Sequence, residues 1–357
     1  MSKKLYDIKF ADKEAISVTR GGYPRIYKLA DGTLLLLLGV DGFSVRSTDD
    51  GKTWSDRADY RTNYHVIGED GKEYALGCAN SAFFQLDDGT VLVAYRATGY
   101  IKEDRSVFCT KILVSKSTDG AKTWSEHSTM CEYYDRTGDF KGVWEPHFGM
   151  LNGVLTCFYA NDSKDVIAPP YQYIEYLQWI DGKWTNRTVV CDGVENKSRD
   201  GMPVWQQLAN GKYVCAIEGW YPGTPELCIK LVYSDDGITW STPKLIYRGK
   251  SHYAGAPYVV ELATGQLVVV FQCKDATDGT ENHFSKDVML CIVSDGSPVE
   301  ELSEENFTAP ENVFNTPNGS SSEWNCLYLD DKYLYAATSG AFLKRIPLEE
   351  LNAQLED

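Results

Sequence analysis

The sequence predicts an all-β fold, a six-bladed β-propeller with Asp-box hairpins, in a single domain that spans residues 1–357. Aromatic residues make up 13% of the chain, and 30 glycines lie among clusters of Asn, Asp and Ser. This mixture is typical of many short strands joined by tight turns. A turn followed by an apolar run recurs six times, about 60 residues apart, which is enough for four strands and their loops. A long β-sandwich, the alternative all-β fold, has no such period.

Each copy begins with a two-residue turn of the kind that joins the strands of a hairpin. Gly is the second residue of the turn in five copies, and Lys332 replaces it in the sixth. We expect each turn to join the first two strands of a blade. The copies read DGTLLLLLG from Asp31, DGTVLVAYR from Asp88, NGVLTCFYA from Asn152, NGKYVCAIEG from Asn210, TGQLVVVFQ from Thr264 and DDKYLYAAT from Asp330.

A second repeated segment has the pattern S-x-D-x-G-x-T-W. Ser47–Trp54 matches it fully, Ser117–Trp124 has Ala121 in place of Gly, and Tyr233–Trp240 lacks only the first Ser. Such segments resemble those of the Asp-box (BNR repeat) proteins, whose best-known members are sialidases. Because the side chains suit a hairpin turn and the packing between sheets, we assign structural roles, with the tryptophans buried away from the functional rim, to Asp49, Trp54, Asp119, Trp124, Asp235 and Trp240.

One rim of the propeller can be located from the turns. In an up-and-down blade the first strand begins at the rim where the second strand ends, since a hairpin reverses the chain between them. The first strands are therefore expected to begin near Arg25, Asn80 with Ser81, Glu145, Met202 with Pro203, Ala256 with Pro257, and Glu323 with Trp324. The second strands are expected to end near Arg96, Tyr159, Glu218, Gln272 and Ser339.

Two carboxyl groups stand out at this rim, Glu145 in the third blade and Glu218 in the fourth. We expect them to face each other across the central pocket. Burial next to another carboxyl raises one of the two pKa values, which suits an acid paired with a base. Glycoside hydrolysis uses such pairs, with carboxyl groups about 5 to 5.5 Å apart for retention or roughly 6.5 to 9.5 Å for inversion. The alternative is that each Glu forms a structural ion pair.

The neighbouring residue types are those that sugar-binding sites use. Tryptophans offer flat apolar faces, and Asn, His, Asp and Arg offer directional hydrogen bonds. Each residue alone could instead serve packing between blades or carry a surface charge. The candidate substrate-binding residues are Arg25, Asn80, Trp144, His147, Asp162, Arg199, Trp220 and Trp324.

Charge restricts the class of partner. The formal net charge is -16 and the pI is about 4.8, so the chain repels nucleic acids and anionic membranes. An anionic sugar such as sialic acid requires arginines concentrated at the site. A neutral oligosaccharide or polysaccharide has no such requirement.

Ten cysteines occur without a CxxC pair, which favours buried free thiols over a zinc site or disulfides. We expect no metal and no organic cofactor. No segment approaches the roughly 20 apolar residues that span a bilayer. The sequence leaves the compartment open: cytoplasmic as it stands, or secreted or periplasmic if a signal peptide has been removed.

Several short motifs resemble the exo-1,5-α-L-arabinanase family of glycoside hydrolases. They are Tyr23-Pro24-Arg25-Ile26, Trp144-Glu145-Pro146, Gly201-Met202-Pro203 followed by Glu218, and Trp324-Asn325. The resemblance implies retaining double displacement on a neutral glycan such as α-1,5-L-arabinan, without a cofactor. It also implies that Glu145 and Glu218 are the acid/base and the nucleophile, and we assign the acid/base role to Glu145, with the reverse order open.

Two alternatives come from other classes. A sialidase uses three arginines and a Tyr nucleophile, but after Arg199 this chain has only Arg248 and Arg345, neither at a predicted rim position. A catalytically silent glycan-binding propeller would not require two rim glutamates. The sequence therefore favours an exo-acting glycosidase of the arabinanase kind.

Overall fold

The computed structural model describes residues 4–165, 170–250, 252–274, 287–314 and 321–356. This part of the chain is almost wholly β, with a 3₁₀ turn at Glu304–Asn306 and one helix, α1 (Leu348–Glu356). No helix in the described ranges has the length and apolar character needed to cross a membrane. The strands are β1 (Ile16–Ser17), β2 (Pro24–Lys28), β3 (Leu34–Leu38), β4 (Phe43–Ser47), β5 (Ala58–Asp59), β6 (His65–Ile67), β7 (Glu73–Ala75), β8 (Gly77–Gln85), β9 (Val91–Tyr100), β10 (Phe108–Ser117), β11 (Ser125–Asp135), β12 (Val143–Leu151), β13 (Val154–Asn161), β14 (Tyr173–Ile180), β15 (Lys183–Cys191), β16 (Gly201–Gln207), β17 (Tyr213–Trp220), β18 (Leu227–Ser234), β19 (Lys244–Tyr247), β20 (Ala254–Glu261), β21 (Leu267–Cys273), β22 (Val288–Val293), β23 (Glu311–Phe314), β24 (Cys326–Leu329), β25 (Tyr333–Thr338) and β26 (Phe342–Pro347).

The chain divides into two compact units, and the first is Tyr27–Pro203. It contains sheets with the strand orders β2-β3-β4-β5, β8-β9-β10-β11 and β12-β13-β14-β15 and the hairpin β6-β7. The unit begins within β2, at Tyr27, and also includes the first three residues of β16, Gly201–Pro203. Neighbouring strands in each sheet are consecutive in the chain, which is the up-and-down order expected of a blade.

The second unit consists of Met1–Ile26 and Val204–Asp357. It holds the sheets β16-β17-β18-β19, with β16 from Val204 onward, β20-β21-β22-β23 and β24-β25-β26-β1. In the last sheet the N-terminal strand β1 pairs antiparallel with β26, so that Ile16 lies opposite Leu343. The single-domain organisation stays a prediction.

The apolar runs of the repeats form the second strands of the sheets. All five leucines of β3 and all seven residues of β21 are buried. A strand that is covered on both faces has apolar residues at successive positions instead of alternate ones, which explains the continuous runs in the sequence. In the second unit, for example, Val269 and Phe271 of β21 belong to the same apolar cluster as Val214 and Ala216 of β17.

Side-chain bonds stabilise the S-x-D-x-G-x-T-W turns. Asp49 accepts hydrogen bonds from Thr53 Oγ1 at 2.6 Å, Thr53 N at 2.8 Å and Ser47 Oγ at 2.8 Å. The turn at Asp119 repeats all three bonds with Thr123 and Ser117.

The predicted alignment of the third turn is wrong by one residue. Asp236, not Asp235, accepts from Thr239 N at 2.7 Å and from Ser234 Oγ at 3.0 Å. This turn is one residue shorter between its Asp and Gly237 and keeps the Ser that appeared to be missing. Asp235 is exposed and pairs with Lys212 at 3.0 Å.

The tryptophans of these turns are half-buried, which is less than the burial predicted for Trp54, Trp124 and Trp240. Trp124 packs edge-on against Tyr60, with 6.0 Å between ring centroids. Each of the three indoles is therefore only partly covered by its neighbours.

Replacing Asp49 with Ala should lower the unfolding midpoint at neutral pH by about 2–4 °C. The bonds from Thr53, and then from Ser47, lower the pKa of Asp49 below its ordinary value of 3.8. The stabilisation is therefore fully present above that pH and is lost as pH falls through the folded-state pKa. Thermal unfolding should show that the difference in unfolding midpoint between wild type and variant decreases below pH 4. Replacement of the exposed Asp56 is the control, and a gap that does not change with pH would contradict the assignment.

Candidate active site

A left-handed residue other than glycine lies in, or just before, the first strand of each of the six four-stranded sheets. A positive φ is uncommon outside glycine and costs on the order of 1 kcal/mol or more. Register shifts occur at three of these positions, between Ala79 and Ala82, Trp144 and His147, and Gly255 and Tyr258. Each residue lies at, or within two positions of, the rim residue predicted from the turns. The six are Tyr23 (60°), Asn80 (50°), Glu145 (58°), Met202 (52°), Ala256 (48°) and Trp324 (52°).

Three of these left-handed residues donate their backbone N–H to a side chain of the preceding sheet. Met202 N donates to Glu145 Oε2 at 2.6 Å. Ala256 N donates to Glu218 Oε2 at 2.8 Å, and Trp324 N donates to Gln272 Oε1 at 2.9 Å. A buried N–H that leaves the ladder needs another acceptor, and these three side chains supply it. The bonds also determine where the carboxyl and amide groups lie.

Glu145 is half-buried in the first unit, at the bulge of β12. Burial raises the pKa of its carboxyl, and the charge of Asp162 adds to this effect. The N–H of Met202 and the charges of Arg199 and Arg96 oppose it without cancelling it. A carboxyl that keeps its proton to a higher pH than usual is suited to act as an acid.

Asp162 organises the residues next to Glu145. It is 3% exposed and accepts from Trp144 Nε1 at 2.7 Å and from Gly142 N at 2.9 Å. Lys141 Nζ lies 3.2 Å from its carboxylate and Arg199 Nη2 lies 3.9 Å away. The bond to Trp144 Nε1 shows that Asp162 orients this indole, and the predicted contact of Asp162 with substrate stays a prediction.

The first unit also contains three other predicted binding residues. Asn80 is buried, and its Oδ1 has no hydrogen-bond partner within the described residues. A buried polar atom without a partner is unusual in a folded protein. His147 is half-buried two positions after Glu145. Arg199 forms an isolated bridge with Gln172.

Glu218 is half-buried near the end of β17 in the second unit. A Cβ added at Gly255 would lie 2.6 Å from Glu218 Oε2. A side chain at residue 255 would therefore displace the Glu218 carboxylate from its position beside Ala256 N. Trp220, the predicted sugar platform, ends the same strand and is half-buried.

A polar network in the second unit includes residues that the sequence did not indicate. Gln272 Nε2 donates to Tyr253 Oη at 2.8 Å and to Asp287 Oδ2 at 3.1 Å. Burial and the charge of Glu323 raise the pKa of Asp287. Tyr253 directly precedes β20. Its position before a first strand is the feature of the sequence that could have indicated it as a site residue.

Arg25 supports Trp324 in the second unit. It is 3% exposed, and its Nη1 donates to the carbonyl oxygens of Pro24 at 2.7 Å and Trp324 at 3.1 Å. Its guanidinium lies 4.0 Å from the ring centroid of Tyr23 and 5.3 Å from that of Tyr258. Arg25 was predicted to bind substrate, and the structure gives it contacts that orient Trp324.

Solved structures of other proteins share this fold. An α-L-arabinanase of Penicillium chrysogenum, solved with arabinobiose, is 19% identical with a TM-score of 0.65, over 94% of this chain and 98% of that one. A family GH93 α-L-arabinofuranosidase of Fusarium graminearum with arabinobiose is 19% identical with a TM-score of 0.66, over 98% and 99%. The fold is a six-bladed β-propeller. The predicted fold class is thereby confirmed.

A sialidase-type propeller is also among the structural neighbours. NanB sialidase of Streptococcus pneumoniae, as a K499G mutant, is 10% identical with a TM-score of 0.61, over 98% of this chain and 72% of that one. The predicted resemblance to sialidase-like propellers, including arabinanases, is confirmed at the level of fold. No protein-family model matches the chain, and no curated protein matches it.

Replacing Glu145 with Gln should change how stability depends on pH. Because its folded pKa is raised above the ordinary 4.5, the stabilisation from neutral Glu145 is complete below pH 4.5 and is lost as pH rises through the folded-state pKa. The amide stays neutral and keeps an acceptor for Met202 N. The unfolding midpoint of the variant should therefore rise relative to wild type between pH 4 and pH 8. The matched change at the exposed Glu126 should leave this difference flat, and a flat difference for Glu145 would show that its charge is not costly.

Proposed function

We propose that this protein is a retaining, exo-acting glycoside hydrolase that cleaves a neutral glycan such as α-1,5-L-arabinan. Glu145 acts as the acid/base and Glu218 as the nucleophile. The fold neighbours are glycosidases, which supports the general class. The exo mode and the retaining course rest on the resemblance to exo-1,5-α-L-arabinanases.

The observation that carries the proposal is the comparison of Glu218 with Gln272. Both occupy the same position after a turn glycine, and both accept the N–H of a left-handed residue in the next sheet. The neutral amide of Gln272 satisfies the backbone as well as a carboxylate does. A half-buried carboxylate costs more than an amide, so the fold alone does not require a Glu at position 218. A role for the Glu218 carboxylate in the reaction explains why an ionisable group occupies this position.

The raised pKa of Glu145 supports its role as the proton donor. In the first step, the Glu218 carboxylate attacks the anomeric carbon while Glu145 protonates the departing glycosidic oxygen. In the second step, Glu145 takes a proton from water, the water oxygen attacks the anomeric carbon, and the bond to Glu218 breaks. Each step leaves Glu145 in the protonation state that the next step needs.

The charges favour a neutral substrate. The net charge is -16, so an anionic sugar would need a local concentration of arginines. Arg248 pairs with Glu226 at 2.6 Å and lies 3.8 Å from the ring centroid of Tyr221. Arg345 lies 4.5 Å from the ring centroid of Tyr333. Two of the solved neighbours contain arabinobiose, a neutral sugar, which supports arabinan as the first substrate to assay.

Changing Glu145 or Glu218 to Gln should each lower turnover of linear α-1,5-arabinan by several orders of magnitude, because the amide cannot transfer a proton or form the glycosyl ester. Circular dichroism and thermal unfolding should remain close to wild type. Added azide should give glycosyl azides of opposite anomeric configuration in the two variants, which nuclear magnetic resonance distinguishes. Wild-type turnover in both variants would exclude this mechanism, and release of sialic acid from a sialyl-aryl substrate by the wild type would favour the sialidase.

Changing Gly255 to Ala should lower turnover by about tenfold to a hundredfold without unfolding the protein. The new Cβ would lie 2.6 Å from Glu218 Oε2, and the end of a flexible side chain can move away and lose its bond to Ala256 N. A matched control is Gly77→Ala in β8, whose nearest neighbour would be 3.5 Å from the added Cβ, an ordinary contact. Steady-state kinetics with thermal unfolding would measure both effects, and normal kinetics for the Gly255 variant would show that turnover does not depend on the bond between Glu218 and Ala256 N.

A further inference from the structure

Four aromatic rings of the first unit form a continuous group that we call the aromatic strip: Trp144, Phe108, Tyr100 and Phe140. The Trp144 and Phe108 rings are 6.5 Å apart and nearly parallel, with 28° between their planes. Phe108 lies 5.5 Å from both Tyr100 and Phe140, measured between centroids. The aromatic strip therefore begins at Trp144, the residue before Glu145, and extends away from it.

Strand ends bring these rings together. Tyr100 ends β9 and lies opposite Phe108, which begins β10. Trp144 is near the start of β12, and Phe140 is in the loop just before that strand. Trp144 is oriented by its bond to Asp162 at 2.7 Å and by Arg96, which lies 4.9 Å from its ring centroid. One end of the strip is thus held at the same bulge as Glu145.

Phe140 is the unusual member of the strip. The residue is 52% exposed, and its φ is 54°, a conformation that a bulky residue rarely adopts. An exposed aromatic side chain contributes little to the core, so the strained backbone at Phe140 is not repaid by burial. Strained backbone that persists without such a gain is typical of functional positions.

The loop that carries Phe140 is tied at its start. Asp135 is fully buried and accepts from Thr137 N at 2.9 Å, Thr137 Oγ1 at 2.5 Å and Lys141 N at 3.2 Å. Three bonds to one carboxylate hold the segment on both sides of Phe140.

The loop is also tied at its end. Gly142 N donates to Asp162 Oδ1 at 2.9 Å, and a Cβ at Gly142 would overlap the Thr110 side chain. Phe140 is therefore displayed by a rigid loop, which keeps the entropic cost of binding at its ring low.

We propose that the aromatic strip binds further sugar units of a glycan chain that extends from the scissile bond. This inference rests on the proposed function. The C–H groups of a sugar ring form an apolar face that packs on an aromatic ring, and its hydroxyls remain in water. Continuity with Trp144 and Glu145 makes the glycan chain the occupant. Four rings, most of them half-buried, offer far less than the roughly 800 Å² per partner of a stable protein interface.

The test compares Phe140→Ala with Phe140→Tyr, which keeps the ring. Met150→Ala, which changes an exposed residue near the other end of β12, is the matched control. With arabinohexaose, kcat/KM should fall by about tenfold in Phe140→Ala, while arabinotriose should change by less than about twofold. Phe140→Tyr and Met150→Ala should behave as the wild type does. An equal loss on both sugars, or no loss, would overturn the proposal.

Binding is measured separately from turnover by electrophoresis in native gels that contain debranched linear arabinan. The wild type should be retarded, Phe140→Ala should lose most of this retardation, and Met150→Ala should keep it. If the protein shows no turnover but its retardation depends on Phe140, the proposed hydrolase activity is wrong and the proposal that the aromatic strip binds glycan stands. If the protein shows turnover but its retardation is absent or does not depend on Phe140, the proposal for the aromatic strip is wrong and the proposed hydrolase activity stands.

Discussion

A backbone N–H that leaves the hydrogen-bonding ladder of a sheet must find another acceptor, and this requirement organises both units of the structure. Met202, Ala256 and Trp324 adopt left-handed conformations at their first strands, and each donates to a side chain of the preceding sheet. The bulge at Ala256 therefore does two things at once. It changes the direction of β20, and its free N–H holds the Glu218 carboxylate, 38 positions earlier in the chain.

The chemical identity of each acceptor can vary because the backbone needs only an oxygen. Gln272 meets the need with an amide, whereas Glu145 and Glu218 meet it with carboxyl groups. Gly255 leaves the space that the Glu218 carboxylate occupies. The scaffold thus tolerates both neutral and ionisable groups at equivalent positions, and substitution there changes the chemistry with little change in the packing of the sheets.

Two buried acidic residues, Asp162 and Asp135, also position their neighbours by accepting hydrogen bonds. Asp162 connects Trp144 to the loop before β12, and Asp135 closes that loop around Phe140. Burying such carboxylates is costly unless several donors compensate them, and both have these donors. In the second unit, Arg25 positions Trp324 in a similar way. Its guanidinium lies beside the Tyr23 ring and donates a hydrogen bond to the carbonyl oxygen of Trp324. Rigid support of this kind lets aromatic rings stay partly exposed.

The sequence by itself determined the repeat period, the first hairpin of each sheet and the positions near which the first strands begin, because hairpin turns and apolar runs are local features of the chain. It did not indicate that the N-terminal strand β1 completes the sheet of β24, β25 and β26. Its alignment error, Asp235 for Asp236, arose because this turn is one residue shorter than the pattern, which the bond from Ser234 Oγ to Asp236 reveals. Only the tertiary structure decided that Asp162 serves Trp144, that Gly255 makes room for Glu218, and that Tyr253 and Asp287 join Gln272. Those contacts join residues that are distant in the chain, and their geometry depends on how whole sheets pack, which no local pattern encodes.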